Sequence, residues 1–288
     1  MEAQAYLAHC SRVLAEHRAR FARLYDPPMS GEIKSADGTT IRWRAAGEGP
    51  PFVLVPGGLG DEHAFDPLVE KLTDRLRCIT IGRRGKGFSG DAPVYSFDHE
   101  YHDVAAVLDA VAPPRFLFGH SSGAICALGA TLISNVDKLV IVEPPLPLDA
   151  PGIDPEHHSA VRAALKRGEA ETAVLLGLRH ALNLEPAAIE ALRSRDDWPE
   201  VLQRGVAWLR ELPEINQLPA DVERYRVIDA PTLLIYGTAT QPRRRNAVEA
   251  LGEAMPNAEV IGFTGYGHDV ANAAAGDVAS AVLAFLAR

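Results

Sequence analysis

Residues 116–124 are Phe116-Leu117-Phe118-Gly119-His120-Ser121-Ser122-Gly123-Ala124, an apolar run that ends in Gly-x-Ser-x-Gly and leads into a segment compatible with a helix. This pattern is typical of a nucleophile elbow, in which a serine sits on a very tight turn between a strand and a helix. The serine is held in strained backbone geometry, and the glycines on either side must lack side chains for the chain to close. The stretch therefore predicts that Ser121 is a nucleophile.

The composition is that of one large globular domain. The chain has 288 residues, of which 47% are hydrophobic and 23% are charged, so it can bury a large core without a second domain. Its formal net charge is -9. Because nucleic-acid binding depends on clustered positive charge, this balance argues against a nucleic-acid partner and favours a small molecule.

The cysteines and the hydropathy pattern indicate the cellular location of the protein. Cys10, Cys78 and Cys126 are an odd number and lack the spacing of a metal site or a disulfide framework, which favours a reduced, cytoplasmic protein. The N-terminal region carries charges and no unbroken apolar core, and no later segment has about 18 uncharged apolar residues in a row. We therefore expect neither a signal peptide nor contact with a membrane.

The first 25 residues are predicted to form an amphipathic helix ahead of a main domain over 26–288. Apolar side chains recur at roughly helical intervals with charges between them, at Leu7, Cys10, Leu14, Phe21 and Leu24. This apolar stripe can pack on the main domain, or it can form a contact between subunits of a homo-oligomer. The sequence leaves both alternatives open.

Strand and helix patterns alternate along the main domain. A hairpin is predicted over 32–46 around Asp37-Gly38, since Asp-Gly is a strong hairpin turn. Predicted strands are 52–55, 76–81, 116–118, 139–142, 232–236 and 259–263, and predicted helices are 97–111, one from Ser122, 246–255 and 270–286. Such alternation indicates a mostly parallel sheet with helices on both faces. Residues 144–218 interrupt it with helix-like segments and no clear strand, which predicts an inserted helical cap.

Together with the elbow, a glycine-rich turn makes the chain resemble the α/β-hydrolase superfamily from about residue 31 to its end. The turn is Val55-Pro56-Gly57-Gly58-Leu59-Gly60, which follows an early strand and is similar to the family's His-Gly-Gly oxyanion loop, with proline in place of histidine. The resemblance implies that the N–H groups of Gly58 and Ser122 stabilise an oxyanion, with Leu59 as the alternative to Gly58.

Two further motifs follow the family's order. Gly265-Tyr266-Gly267-His268-Asp269 lies between the last strand and the last helix, where the family places its catalytic base, so the resemblance implies that role for His268. The other nine histidines are interpreted as structural or surface residues, and no metal site is expected. The loop Gly82–Ser89 is similar to the family's Arg-Gly-x-Gly-x-Ser loop, which is structural.

The third member of a catalytic triad is missing from its usual place. Most relatives carry an aspartate soon after the strand that corresponds to 232–236, but no carboxylate occurs there before Glu249. The base still needs a partner that fixes its tautomer and stabilises the imidazolium. Glu143 is the best substitute because it ends the 139–142 strand and keeps the chain order Ser, acid, His. Asp269, or no carboxylate at all, is the alternative.

A serine nucleophile predicts acyl transfer to water through an acyl-enzyme, with no cofactor. The apolar residues of the cap can roof a pocket for a hydrophobic ester or lactone, and Leu59, Trp198 and Trp208 are the candidate substrate-binding residues. A serine combined with an acid on the earlier strand resembles a subset of the superfamily that includes lactonases of zearalenone-like resorcylic macrolactones. A carboxylesterase, a carbon–carbon bond hydrolase and a non-catalytic ligand-binding or receptor protein are the alternatives.

Overall fold

The computed structural model describes residues 31–288, so the predicted N-terminal helix and its subunit contact lie outside the described residues. Eight strands form the sheet, and in chain order they are β1 (Gly31–Lys34), β2 (Thr40–Ala46), β3 (Pro51–Val55), β4 (Arg77–Gly82), β5 (Phe116–His120), β6 (Lys138–Val142), β7 (Thr232–Gly237) and β8 (Ala258–Phe263).

The sheet has the order β1-β2-β4-β3-β5-β6-β7-β8. Strand β2 pairs antiparallel with both β1 and β4, whereas every other neighbouring pair is parallel. This arrangement confirms the predicted α/β-hydrolase fold with a mostly parallel central sheet. Since β3, β5, β6 and β7 run in the same direction, the loops that follow them meet at one edge of the sheet.

Helices cover both faces of the sheet and fill the segment between β6 and β7. In chain order they are α1 (Asp66–Leu72), α2 (Phe97–Asp109), α3 (Ser122–Thr131), α4 (Pro155–Lys166), α5 (Ala170–His180), α6 (Pro186–Arg193), α7 (Trp198–Leu209), α8 (Glu211–Gln217), α9 (Pro242–Ala254), α10 (Val270–Ala273) and α11 (Ala275–Leu286).

The apolar runs in the sequence reflect burial on both sides of the sheet. In β3, Val53 and Val55 pack in one core cluster, and Phe52 and Leu54 pack in the other. Successive side chains of a strand point to opposite faces, so a strand covered on both faces must be apolar at nearly every position.

Helices α4 to α8, which we call the cap, follow one another without a strand in the segment where the insertion over 144–218 is predicted. Most of its buried apolar side chains form a cluster of their own, whereas Ile215 of α8 packs in one of the clusters against the sheet. Ion pairs hold it to loops of the main domain, among them Arg204 with Asp61, Arg210 with Asp91 and Glu211 with Lys86. The exact domain boundaries stay a prediction.

Two helix predictions differ from the structure. Helix α1 has no counterpart in the sequence analysis, because its seven residues are too few for a clear periodic pattern. The predicted closing helix over 270–286 is wrong as one continuous element: it is broken at Ala274, whose backbone (φ -113, ψ 34) leaves the helical region. The break makes α10 a single short turn next to the candidate base.

Candidate active site

Ser121 stands at the turn from β5 into α3 with a strained backbone. Its φ is 56 and its ψ is -130, a conformation that costs a non-glycine residue about 1–3 kcal/mol and is found mainly at functional sites. A Cβ on Gly119 would lie 2.6 Å from the carbonyl oxygen of Gly123, and a Cβ on Gly123 would collide with the carbonyl oxygens of Val55 and Pro56. Both glycines are therefore required by the close approach of the backbone.

A chain of hydrogen bonds joins Ser121, His268 and Glu143. Nε2 of His268 is 3.0 Å from Oγ of Ser121, and its Nδ1 is 2.6 Å from Oε2 of Glu143. The carboxylate of Asp269, the alternative partner, instead accepts from the side-chain amide of Asn272. The structure thus brings together the three residues that the sequence analysis selected.

The Glu143 carboxylate is fully buried and held on both oxygens. The N–H of Gly237 donates to Oε1 at 2.8 Å, and Oγ1 of Thr240 donates to Oε2 at 2.6 Å. Burial raises the pKa of Glu143, whereas the hydrogen bonds from Thr240 and Gly237 oppose that rise. Glu143 also has a positive φ of 47, a backbone conformation that residues other than glycine rarely adopt.

Sequence reasoning missed two polar neighbours of this chain of hydrogen bonds. Thr240 lies after β7, where the sequence has no carboxylate. Its hydroxyl donates to Glu143 at the end of the neighbouring strand, and no local sequence pattern signals that contact. His120 is the variable residue before the elbow serine. Its Nε2–H donates to the backbone carbonyl of His268 at 2.9 Å, and the two rings lie 4.6 Å apart.

The electrostatic surroundings favour a neutral imidazole at the base. Burial lowers the pKa of His268 well below its usual value of 6.5, and the positive charge of Arg244 and the neighbouring His120 act in the same direction. Arg244 lies on the first turn of α9 with only 4% of its surface exposed. A base with a low pKa is ready to accept a proton at neutral pH.

Two backbone N–H groups beside Ser121 are available for an oxyanion. Among the described residues, no hydrogen bond uses the N–H of Gly58, Leu59 or Ser122. Gly57 lies against the elbow, since a Cβ there would be 3.0 Å from Cβ of Ser121. The free N–H groups at the start of α3 also carry the positive end of the helix dipole.

One buried guanidinium connects both sides of this candidate oxyanion hole. Arg83 donates through NH1 to Oγ of Ser122 at 2.9 Å and to the carbonyl oxygen of Pro56 at 3.3 Å. Its NH2 pairs with Glu100 at 2.7 Å and with Glu211 of the cap at 3.2 Å. The resemblance implies a structural role for the loop that contains Arg83, and the Arg83 side chain is indeed buried. It also bonds to Ser122, the residue after the candidate nucleophile.

The candidate substrate-binding residues occupy different surroundings. Trp208 of α7 lies directly over Gly58, because a Cβ on that glycine would collide with the indole. Leu59 is half-buried and packs against the cap cluster. The indole N–H of Trp198 donates to Glu171 within the cap at 3.2 Å. The structure therefore places Leu59 and Trp208 at the glycine-rich loop and Trp198 against another cap helix.

The described residues contain neither a metal-ligand group nor a membrane-spanning helix. Within residues 31–288, no group of three or more His, Cys, Asp or Glu side chains is arranged to hold a metal ion. No helix over the same range is both long and apolar enough to cross a membrane. Cys78 and Cys126 are buried free thiols.

Comparison with known proteins gives a consistent family assignment. The model of the alpha/beta hydrolase family matches residues 52–281. A pimeloyl-(acyl-carrier protein) methyl ester esterase from Aliivibrio salmonicida is 31% identical over 106 residues, which make up 36% of this chain and 40% of the esterase. A 2-heptyl-3-hydroxy-4-quinolone dioxygenase from Rhodococcus erythropolis is 32% identical over 69 residues, 24% of this chain and 25% of the dioxygenase. The matches thus cover well under two thirds of either relative.

Solved structures are similar over most of the chain. An alpha/beta hydrolase from Sphaerobacter thermophilus has a TM-score of 0.77 at 29% identity, with 89% of this chain and 100% of that chain covered. An enol-lactonase from Burkholderia xenovorans has a TM-score of 0.69 at 19% identity, with 90% and 100% covered. At 19% identity, the similarity to the enol-lactonase shows a shared fold alone.

Proposed function

Because this chain belongs to the alpha/beta hydrolase family, we propose that it is a serine hydrolase that cleaves a carboxylic ester or lactone of a hydrophobic small molecule. The observation that carries the proposal is the hydrogen-bonded chain of Ser121, His268 and Glu143 beside free backbone N–H groups. The names of an esterase relative and of a lactonase with the same fold agree with this reaction class.

The proposed mechanism has two steps. Nε2 of His268 takes the proton of Ser121 as its Oγ attacks the carbonyl carbon, and the N–H groups of Gly58 and Ser122 stabilise the oxyanion of the tetrahedral intermediate. The imidazolium, paired with Glu143, then gives its proton to the leaving oxygen, and an acyl-enzyme forms. In the second step His268 activates a water that releases the acid and restores the serine. No external oxidant, reductant or cofactor is needed.

The substrate class is inferred from what lies over the glycine-rich loop. Trp208 covers Gly58 and belongs to the apolar cluster of the cap, so a bulky apolar group would be removed from water there. Burying apolar surface contributes about 25 cal/mol per Å² as an upper guide. Within this class, macrocyclic lactones of the zearalenone type are the finer hypothesis, and a cytoplasmic location remains the expectation for the enzyme.

Labelling with a fluorophosphonate tests the nucleophile independently of any substrate. An activated serine reacts quickly, so we expect stoichiometric labelling of wild-type protein at Ser121, located by peptide mass spectrometry, and none at that peptide in Ser121→Ala. A folded wild-type protein that stays unlabelled would instead support a ligand-binding protein on the hydrolase fold.

A substrate panel then separates the reaction classes. It contains short and long esters, a zearalenone-type lactone, a β-diketone for carbon–carbon cleavage, and a 2-alkyl-3-hydroxy-4-quinolone with oxygen, which tests the reaction named for the dioxygenase relative. We expect the largest kcat/KM for a bulky ester or lactone. Higher kcat/KM for acetate esters than for every bulky one would contradict the proposed preference for bulky apolar substrates. Turnover of only the diketone or the quinolone would contradict ester hydrolysis.

A further inference from the structure

Arg83 is a buried arginine that the family's sequence pattern does not explain. Residues 84–89 match the Arg-Gly-x-Gly-x-Ser pattern, so the arginine of that pattern is Arg84. Both side chains are buried, with 1% of each residue's surface exposed, but their partners differ. Arg84 pairs with Asp103 at 2.7 Å and with Asp37 at 2.9 Å, which accounts for its burial. Because a buried charge is costly unless it is paired and hydrogen-bonded, the partners of Arg83 indicate what it does.

Two carboxylates fix the plane of the Arg83 guanidinium. Its Nε and NH2 donate to the two oxygens of Glu100 on α2 at 2.9 and 2.7 Å. NH2 is also 3.2 Å from Oε1 of Glu211 on α8 of the cap. Pairing of this two-point kind sets the orientation of a guanidinium as well as its position. Arg83 is therefore anchored by a helix of the main domain and by the cap, both outside the elbow.

The remaining nitrogen, NH1, reaches both sides of the candidate oxyanion hole. It donates to Oγ of Ser122 at 2.9 Å and to the carbonyl oxygen of Pro56 at 3.3 Å. Ser122 carries one of the free N–H groups, and Pro56 stands two residues before Gly58, which carries the other. The two segments are in close contact, since a Cβ on Gly123 would lie 2.3 Å from the Pro56 oxygen. One nitrogen thus ties the start of α3 to the glycine-rich loop.

An oxyanion hole works only if its donors are fixed before the charge develops. Loss of one donor costs about 10² to 10³ in kcat, and a misplacement of about 1 Å can cost about 10². The loop that carries the second donor contains Gly57 and Gly58, whose backbones are less restricted than those of other residues. A rigid group that holds this loop against α3 therefore has a direct bearing on the rate.

We propose that Arg83 is a positioning residue, which holds the N–H groups of Ser122 and Gly58 at the separation that an oxyanion requires. Within residues 31–288, no hydrogen bond joins Arg83 to Ser121 or His268, so it acts through Ser122 and Pro56. This role rests on the proposed function, because it concerns the same site. A merely structural Arg83 would change the stability of the protein, whereas a positioning Arg83 also changes the rate of each step that forms an oxyanion.

The rate of fluorophosphonate labelling tests this role without a known substrate. As Ser121 attacks the probe and fluoride leaves, the oxyanion donors stabilise the negative charge on the phosphonyl oxygen. Arg83→Lys keeps a positive charge near Glu100 and Glu211 but lacks the planar fork that bridges to Ser122. We expect the second-order labelling rate to fall by about tenfold or more, with stoichiometric labelling at completion. For an ester substrate, kcat should fall in parallel while KM stays within about twofold, because the oxyanion forms only after binding.

Arg84→Lys is the matched control. It makes the same chemical change at a buried arginine of the same loop, whose carboxylate partners are Asp103 and Asp37. Its labelling rate should stay within about twofold of wild type, whatever the change in melting temperature. An equal loss of rate in Arg84→Lys and Arg83→Lys would overturn the proposal, since the effect would then be a general disturbance of the loop.

Ser122→Ala tests the bridge from its other end and carries the test alone if Arg83→Lys does not fold. It removes the hydroxyl that Arg83 holds and keeps the backbone N–H, so the labelling rate should again fall, by about threefold or more. Arg83→Lys should have a smaller effect in this background than alone, as expected for two residues that act through one contact.

The outcomes separate this role from the hydrolase proposal. A wild-type protein that is never labelled would refute both. Normal labelling of wild type, with rates within about twofold of it in folded Arg83→Lys or in Ser122→Ala, would refute only the role of Arg83.

Discussion

The ends of strands β6 and β7 make a direct comparison, because the two strands are parallel neighbours and their loops face the same histidine. The end of β6 carries a carboxylate, Glu143, and the end of β7 carries a hydroxyl, Thr240, 2.6 Å from it. In the pattern common to the superfamily, the acid stands after the strand that corresponds to β7. Here the carboxylate that bonds to His268 stands at the end of β6, and we propose that it takes the acidic role.

Under the proposed assignment, the position of the carboxylate in space matters more than its position in the sequence. Neighbouring strands lie about 4.8 Å apart, so a longer glutamate on β6 can reach the ring nitrogen that a shorter aspartate on β7 would reach. The vacated position then supports the acid through its hydroxyl instead of replacing it. The predictions below test this division of roles, from the largest expected effect to the smallest.

The kcat of Ser121→Ala gives the lowest activity, with which variants at the ends of β6 and β7 are compared. Removing the nucleophile should reduce kcat by about 10⁶ if a triad operates, as it does in subtilisin. Circular dichroism and the melting temperature establish that the variant is folded. More than about a tenth of wild-type activity in that folded variant would remove Ser121 from the mechanism.

Glu143→Gln tests the β6 end directly. The substitution keeps the shape and removes the charge that stabilises the imidazolium, so kcat should fall by about 10² to 10⁴. Asp269→Asn, which changes the residue next to the base, is the matched control and should have a much smaller effect. The assignment of the acid would be wrong if Glu143→Gln stays within about threefold of wild type while Asp269→Asn is inactive.

Moving the acid back to β7 sharpens the comparison. In the Glu143→Gln background, Thr240→Asp places a carboxylate where the hydroxyl now lies, and we expect kcat to recover by about tenfold, or 1.4 kcal/mol. Thr240→Asn in the same background is isosteric and uncharged and should not recover. Equal rates for the Asp and Asn double variants would mean that the β7 end cannot carry the acid in this protein.

The acid limb of the pH profile is sensitive to charge near the two strand ends. His268 must be neutral to accept a proton, so the rate should rise with pH through the pKa of His268, which the protein holds below 6.5. Arg244→Gln removes a positive charge that disfavours the imidazolium, so the pKa of His268 should rise and the acid limb should move to higher pH. Arg245→Gln, on the exposed side of α9, is the control and should not move it. An unchanged limb in Arg244→Gln would show that this charge does not act on the base.

The fold could be predicted because its signals are local and repeated. Strands buried on both faces leave apolar runs such as 116–118, and the elbow needs glycine at two fixed positions. Helix α1 and the break at Ala274 could not be predicted, since α1 is too short for a periodic pattern and no glycine or proline stands at or next to Ala274. Length and composition gave no information on these details.

Whether a site residue could be predicted depended on whether its signal lies in the neighbouring sequence. Ser121, Glu143 and His268 follow strands, so their convergence at one sheet edge could be anticipated. Thr240 and Arg83 could not be selected, because each acts on a residue distant in sequence, Glu143 or Ser122, and such pairs become visible only when the strands are aligned.

The link from Glu211 through Arg83 to Ser122 limits how this protein can evolve or be re-engineered. A cap taken from a relative to change specificity would leave the buried guanidinium without one of its anionic partners unless it restored a carboxylate at the position of Glu211. Loss of one partner of a buried ion pair is strongly destabilising, by about 3–5 kcal/mol. A chimera should therefore exchange residues 82–89 together with the cap, so that Arg83 keeps a matching carboxylate.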